Sequence, residues 1–147
     1  MTFTFTGEYE HQLDPKGRLI VPADWRLGLE EGGFLCPGLN GHKCLFIFPM
    51  SRYHKMEETL LAQTFDNRAG TALSSYVFSG SKVKVDAQGR IFILPKLRER
   101  GALKQDVILR GGGSRIEIWD REQLRLYEQQ ELSAAELRDK LRQIPGL

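Results

Sequence analysis

Apolar and polar residues alternate in short bursts along the first half of the chain and again along the second. Tyr9, His11 and Leu13 fall on one face of an extended segment, and Leu19 and Val21 share a face after a polar break. Val83 and Val85 precede a second break, and Ile91 and Ile93 follow it. A period of two predicts strands with one buried face. The breaks read Asp14-Pro15-Lys16-Gly17 and Asp86-Ala87-Gln88-Gly89. The Asp bonds back to turn amides, the Pro of the first break presets φ, and the Gly takes a left-handed position, so each break predicts a three-residue hairpin turn with a Gly bulge. Short helices are predicted at 22–27 and 95–100, with Pro near the first helical position. Further strand pairs are predicted at 34–36 with 45–48, and at 107–109 with 116–119. Met56, Leu60 and Leu61 lie at helical spacing and predict an amphipathic helix over 51–68. The stretch 121–131 mirrors it, and Ser133 with Glu136 forms a capping box before a last short helix that Pro145 ends.

The two halves are copies. Asp14, Gly17 and Arg18 recur 72 residues later as Asp86, Gly89 and Arg90, followed in both cases by apolar residues. Arg26 falls on Arg98 at the same spacing. The segment Cys44 to Pro49 matches Arg115 to Asp120 after a one-residue slip. A unit of about 44 residues is too short to enclose a core alone, so the two copies are expected to pack as one body. The organisation read from the chain is a first repeat at 7–51, a connecting helix and linker at 52–79, a second repeat at 80–123, and a helical segment at 124–147.

Composition narrows the classes. The chain has 147 residues, 41% of them hydrophobic and 27% charged, which is a globular balance. Its formal net charge of +2 excludes a strongly basic tail. The charge is uneven, however: four basic against six acidic residues lie between 8 and 51, and ten against six between 80 and 123. No apolar run approaches the length of a membrane span, and the first residues lack the pattern of a secretory signal. Two cysteines are too few for a disulfide scaffold. A cytoplasmic protein that does not engage a membrane is expected.

Strand alternation points Arg18 and Arg90 away from the face that carries Leu19 and Ile91. Two readings of Arg18 stand side by side. It pairs with Asp14 and locks the turn, or it offers its rigid fork of donors to phosphate or to the O6/N7 edge of guanine. Lys16 adds charge at the turn tip. Arg26 and Arg98, early on the short helices, either face water or share in such a contact. Lys82, Lys84, Lys96 and Arg100 thicken the charge around the second copy. Cys36, His42, Cys44 and His54 do not match a standard zinc pattern, and buried thiols beside a strand are expected instead. The run Gly111 to Ser114 lacks the lysine of a phosphate-binding loop and reads as a hairpin loop. Asp14 and Asp86 cap turns, and no partnered nucleophile accompanies them. No enzyme activity, cofactor, metal or small-molecule substrate is expected. A ring-forming interaction module without a DNA role is the rival class.

Two D-x-x-G-R turns in register, each with its following arginine, together with Cys44 to Pro49 and the approach Gly7 to His11, resemble the MraZ family over nearly the whole chain. That family comprises bacterial transcriptional regulators related to AbrB-type swapped-hairpin DNA binders. The resemblance implies an α+β fold of two tandem AbrB-like β-hairpin repeats, packed as a pseudo-two-fold small β-barrel with peripheral helices. It implies a homo-oligomeric ring that binds direct repeats in double-stranded promoter DNA upstream of the division and cell-wall gene cluster, as a repressor at the nucleoid. It makes the first-copy motif Asp14 to Arg18 the main DNA-contacting element, and the DNA-binding residues expected are Arg18, Lys16, Arg26, Arg90 and Arg98, on turns held by Asp14, Gly17, Asp86 and Gly89. Phe3 and Phe5, on the N-terminal arm, are expected to help seal contacts between chains.

Overall fold

Two polar turns and eight runs of strand-forming residues have to share one core, and the pairing of strands shows how. The computed structural model describes residues 3–63, 67–131 and 133–147. In chain order the elements are β1 (Glu8–Gln12), β2 (Arg18–Ile20), a 3-10 helix (Ala23–Leu29), β3 (Gly33–Pro37), β4 (Leu45–Pro49), α1 (Met50–Leu61), α2 (Arg68–Phe78), β5 (Ser81–Val83), β6 (Arg90–Phe92), α3 (Pro95–Arg100), β7 (Asp106–Gly111), β8 (Ile116–Asp120), α4 (Arg121–Gln130) and α5 (Ala134–Arg142). Six strands form an antiparallel sheet in the order β1-β7-β8-β4-β3-β5, and β2 pairs with β6 in a separate ribbon. Exchanging the copies (β1 for β5, β3 for β7, β4 for β8) gives the same order read from the other end.

The central strands are buried on both faces, which is why they read as nearly continuous apolar runs. Leu35, Leu45, Ile47, Leu109, Ile116 and Ile118 pack on one side with Leu19, Val21, Ile91 and Ile93 of the ribbon and with Trp25 and Leu97 of the short helices. Phe34, Cys36, Phe46, Phe48, Ile108 and Trp119 pack on the other side with Tyr53, Leu60, Val77 and Leu124 of the long helices. The result is a layer of ribbon and short helices, a sheet, and a layer of helices. Each fully buried side chain of this kind contributes about 1.5–3 kcal/mol relative to exposure. Buried Asp120 ties the layers: its Oδ2 accepts from the N–H groups of Glu122 and Gln123 and caps α4, while its Oδ1 accepts from the Lys104 N–H. The expected capping box at Ser133 and Glu136 starts α5.

Several expectations are corrected. The strands flanking each turn do not pair with each other. The Asp14 N–H still donates to the Arg18 carbonyl at 3.0 Å, but β1 then follows β7, with Leu13 N–H donating to the Gln105 carbonyl, and β2 crosses to β6. Burial decides this, because Leu19 and Val21 find their apolar partners in Ile91 and Ile93 of the other copy. Neither sheet closes on itself, so the described residues form no closed barrel. The helix expected over 51–68 is α1, ending at Leu61; residues 64–66 lie outside the described residues, and Asn67 caps a separate α2 through its side chain. The first short helix is a 3-10 helix, whereas the second, with Pro95 in its first turn, is an α-helix. Phe5 is not a sealing surface: it is fully buried, bridges to Gly113, and packs edge-on against Trp25, with the half-buried Phe3 tilted against it.

Candidate nucleic-acid interface

Asp14 organises the first turn through both carboxylate oxygens. Its Oδ1 accepts from the backbone N–H groups of Lys16 (2.9 Å) and Arg18 (2.8 Å), and its Oδ2 accepts from the Arg18 Nε–H at 2.7 Å. Asp86 repeats the arrangement with Gln88 (2.9 Å), Arg90 (2.9 Å) and the Arg90 Nε–H at 3.1 Å. Both carboxyls are held below the ordinary value of 3.8, Asp14 chiefly by the Arg18 N–H and Asp86 chiefly by the Arg90 N–H, with partial burial opposing. On each guanidinium, only the Nε edge joins the backbone N–H groups in locking the turn. Among the described residues no hydrogen bond reaches the terminal nitrogens of Arg18 or Arg90, which leaves a planar two-nitrogen fork free on each.

The ribbon brings the two forks together. Its register sets Arg18 opposite Phe92, Leu19 opposite Ile91, and Ile20 opposite Arg90. Leu19 and Ile91 point into the core, so Arg18, Ile20, Arg90 and Phe92 occupy the outer face. Arg18 and Arg90 remain 33% and 26% exposed. A turn tip stands at each end. The Ile93 N–H donates to the Gly17 carbonyl and the Val21 N–H to the Gly89 carbonyl, both at 2.8 Å, so each tip is bonded to the strand of the other copy. Lys16 is exposed at one tip and Gln88 at the other.

Arg26 and Arg98 sit differently from the other candidates. The Arg98 guanidinium lies over Gly17 and that of Arg26 lies over Gly89, so each covers the turn of the opposite copy. The Arg26 Nε–H donates to the Val21 carbonyl at 3.0 Å, and Arg98 Nε is buried with no hydrogen-bond partner among the described residues. Their stems therefore have a packing role between repeats, and their outer nitrogens border the ribbon. Lys82, Lys84, Lys96 and Arg100 are exposed and lie outside the ribbon strands.

Sequence reasoning missed two features. Ile20 and Phe92 share strand parity with the arginines, so the alternation itself places these two apolar residues on the outer face. Buried Glu117 was not anticipated either; it accepts from Arg115 (2.7 Å) and from the Trp119 indole N–H (3.0 Å) and faces Arg110 at 3.7 Å. This cluster fixes β7 and β8 and stands apart from the ribbon. Cys36 and Cys44 are free and buried, and burial pushes both thiols up to about 12. No helix of the described residues is long and apolar enough to cross a membrane.

Fold and site together define a duplicated α+β protein in which both copies build one arginine-bearing ribbon. Two segments, residues 4–75 and 78–143, match the family model described as "MraZ protein, putative antitoxin-like". The chain is 43% identical over 126 residues to a protein of Heliobacterium modesticaldum named Transcriptional regulator MraZ, covering 85% of this chain and 87% of that one. Proteins of the same name from Natranaerobius thermophilus and Desulfitobacterium hafniense are 38% and 42% identical, over 90% and 78% of this chain and 92% and 80% of theirs. The chain belongs to the MraZ family.

Proposed function

We propose that this protein is a sequence-specific, DNA-binding transcriptional regulator that lays the outer face of the β2–β6 ribbon into the major groove of a promoter. One observation carries the reading: two aspartate-held arginines stand on one face of a two-stranded ribbon with their terminal nitrogens free. The major groove, about 12 Å wide, admits such a ribbon, and the fork of arginine matches guanine O6/N7 or a phosphate. Arg18 and Arg90 are the base- or phosphate-facing groups, Lys16 is a phosphate contact at the tip, and Arg26 and Arg98 hold the turns and border the same surface. The relatives' name supports the regulatory role.

A single ribbon offers few contacts, and nonspecific binding of that kind falls at about 10⁻⁴ to 10⁻⁶ M at physiological salt. A ring of chains on direct repeats makes later contacts intramolecular and raises avidity by about 10² to 10⁴. In this proposal the repeats at 7–51 and 80–123 are related by an approximate two-fold axis through the ribbon, as the palindromic strand order supports. The ring assembles on the nucleoid in the cytoplasm, occupies the promoter of the division and cell-wall gene cluster, and represses it by excluding polymerase. The protein is a binder and not an enzyme.

Footprinting of the purified protein on the DNA directly upstream of its own gene, beside its native mass, tests this. Protection at regularly spaced repeats by a multi-chain particle is expected. An unprotected promoter at moderate salt would contradict the reading and favour an interaction module.

A further inference from the structure

The ribbon's outer face carries two large apolar side chains that the fold does not use. Ile20 is 42% exposed and Phe92 is 47% exposed. Single exposed apolar residues need no explanation. These two differ in placement. Each stands two residues after the arginine of its own copy, so they occupy equivalent positions 72 residues apart. Each also lies directly across the ribbon from the arginine of the other copy, Phe92 opposite Arg18 and Ile20 opposite Arg90. Directly opposed side chains of an antiparallel pair stand about 5 Å apart at Cβ, within the reach of neighbouring base edges. The face is thus a diagonal pattern of two forks and two apolar knobs.

The surroundings select the occupant. Arg18 and Arg90 share the face with the two knobs, Lys16 stands at one tip, Arg26 and Arg98 cover the turns that bound the ribbon, and the turn carboxylates Asp14 and Asp86 are already engaged by turn N–H groups and by the arginine Nε–H. An apolar protein surface would cover the knobs but leave the free forks without anions. The major groove offers both: guanine edges and phosphates for the forks, and the thymine 5-methyl as its apolar group.

We infer that Ile20 and Phe92 form a methyl-reading subsite, in which each packs on a thymine 5-methyl beside a base pair or phosphate engaged by the arginine across the ribbon. The inference rests on the proposed docking of the ribbon in DNA. It assigns to the apolar pair a share of sequence discrimination that charge alone does not supply, since phosphate contacts position the protein and base contacts specify.

Uracil is thymine without the methyl, so the test replaces one by the other. Duplexes enriched by the full-length protein from a random-sequence library are prepared with thymine or with uracil, and binding is measured for the wild type, for the Ile20→Ser/Phe92→Ser double variant, and for Arg18→Ala. The wild type is expected to bind the thymine duplex about fourfold more tightly per methyl contacted, the effect of burying one methyl-sized group, and on the order of tenfold for two. The double variant is expected to bind the thymine and uracil duplexes equally, with the loss falling on the thymine duplex. Equal wild-type affinity for the two duplexes overturns the inference without any variant having to fold. A thymine preference that survives in the double variant overturns it as well, by placing the methyl reading elsewhere. If Arg18→Ala binds as the wild type does, or if no duplex is enriched, the docking of the ribbon fails and this inference falls with it.

Discussion

The guanidinium of Arg98 lies directly over Gly17, so close that a methyl group on Gly17 would stand 2.9 Å from the guanidinium carbon; Arg26 lies closer still over Gly89. Each repeat therefore closes the turn of the other with an arginine. The two glycines are needed twice, once for φ values of +84° and +79° and once for the space the arginines occupy.

Substitution at these glycines separates the two requirements. Gly113 has the same backbone, φ +79°, but a methyl group there would meet nothing within 4 Å, so Gly113→Ala carries only the conformational cost of about 1 kcal/mol. Gly17→Ala and Gly89→Ala also push the end of an arginine side chain aside across the repeats and are expected to cost somewhat more, about 1–2 kcal/mol. Urea denaturation of the three variants gives the comparison; equal losses at Gly17 and Gly113 would mean that Arg98 moves aside freely.

Much of this was readable in the chain, and the part that was not has a common cause. The Asp-x-x-Gly-Arg turns, the hairpins β3–β4 and β7–β8, and the cap at Ser133 are set by residues close in sequence, where turn and capping chemistry act. The partner of β2 was not readable, because Arg18–Ile20 shows the same alternation whether it pairs with β1 or with β6. Arg26 and Arg98 were read as facing water or contacting DNA, and their packing on a turn was not legible for the same reason: their partners, Gly89 and Gly17, lie in the other copy. The helix α2 reads as linker in the sequence because Gly70, Thr71, Ser74 and Ser75 are loop-forming residue types.

Acid should undo the turns in a defined window. Asp14 and Asp86 have folded values below 3.8, so their contribution to stability is fully present above the ordinary carboxylate value and is lost as pH falls through the lowered one. The Asp14→Asn/Asp86→Asn variant is expected to be less stable than the wild type at pH 7 and to show a shallower loss of thermal stability below about pH 4. Parallel pH profiles for the two proteins would show that these carboxylates do not hold the turns.

The two thiols should be inert in the folded chain. With both values near 12 and both side chains buried, the thiolate that reacts with alkylating reagents is nearly absent at pH 8. Iodoacetamide is expected to label neither Cys36 nor Cys44 in native protein and both in urea, by intact mass. Rapid native labelling of either would place it in an open site.

The salt dependence of DNA binding tests the central claim most directly. Affinity for the DNA upstream of the protein's own gene is measured across a salt series for the wild type, Arg18→Ala and the Arg18→Ala/Arg90→Ala double variant, with circular dichroism confirming the fold. Each lost phosphate contact is expected to flatten the slope of log affinity against log salt by about 1, and each lost guanine contact to weaken specific binding by about 1–3 kcal/mol, with the double variant the weaker of the two. Affinity and slope unchanged in the folded double variant would contradict the assignment of the ribbon as the DNA-facing surface.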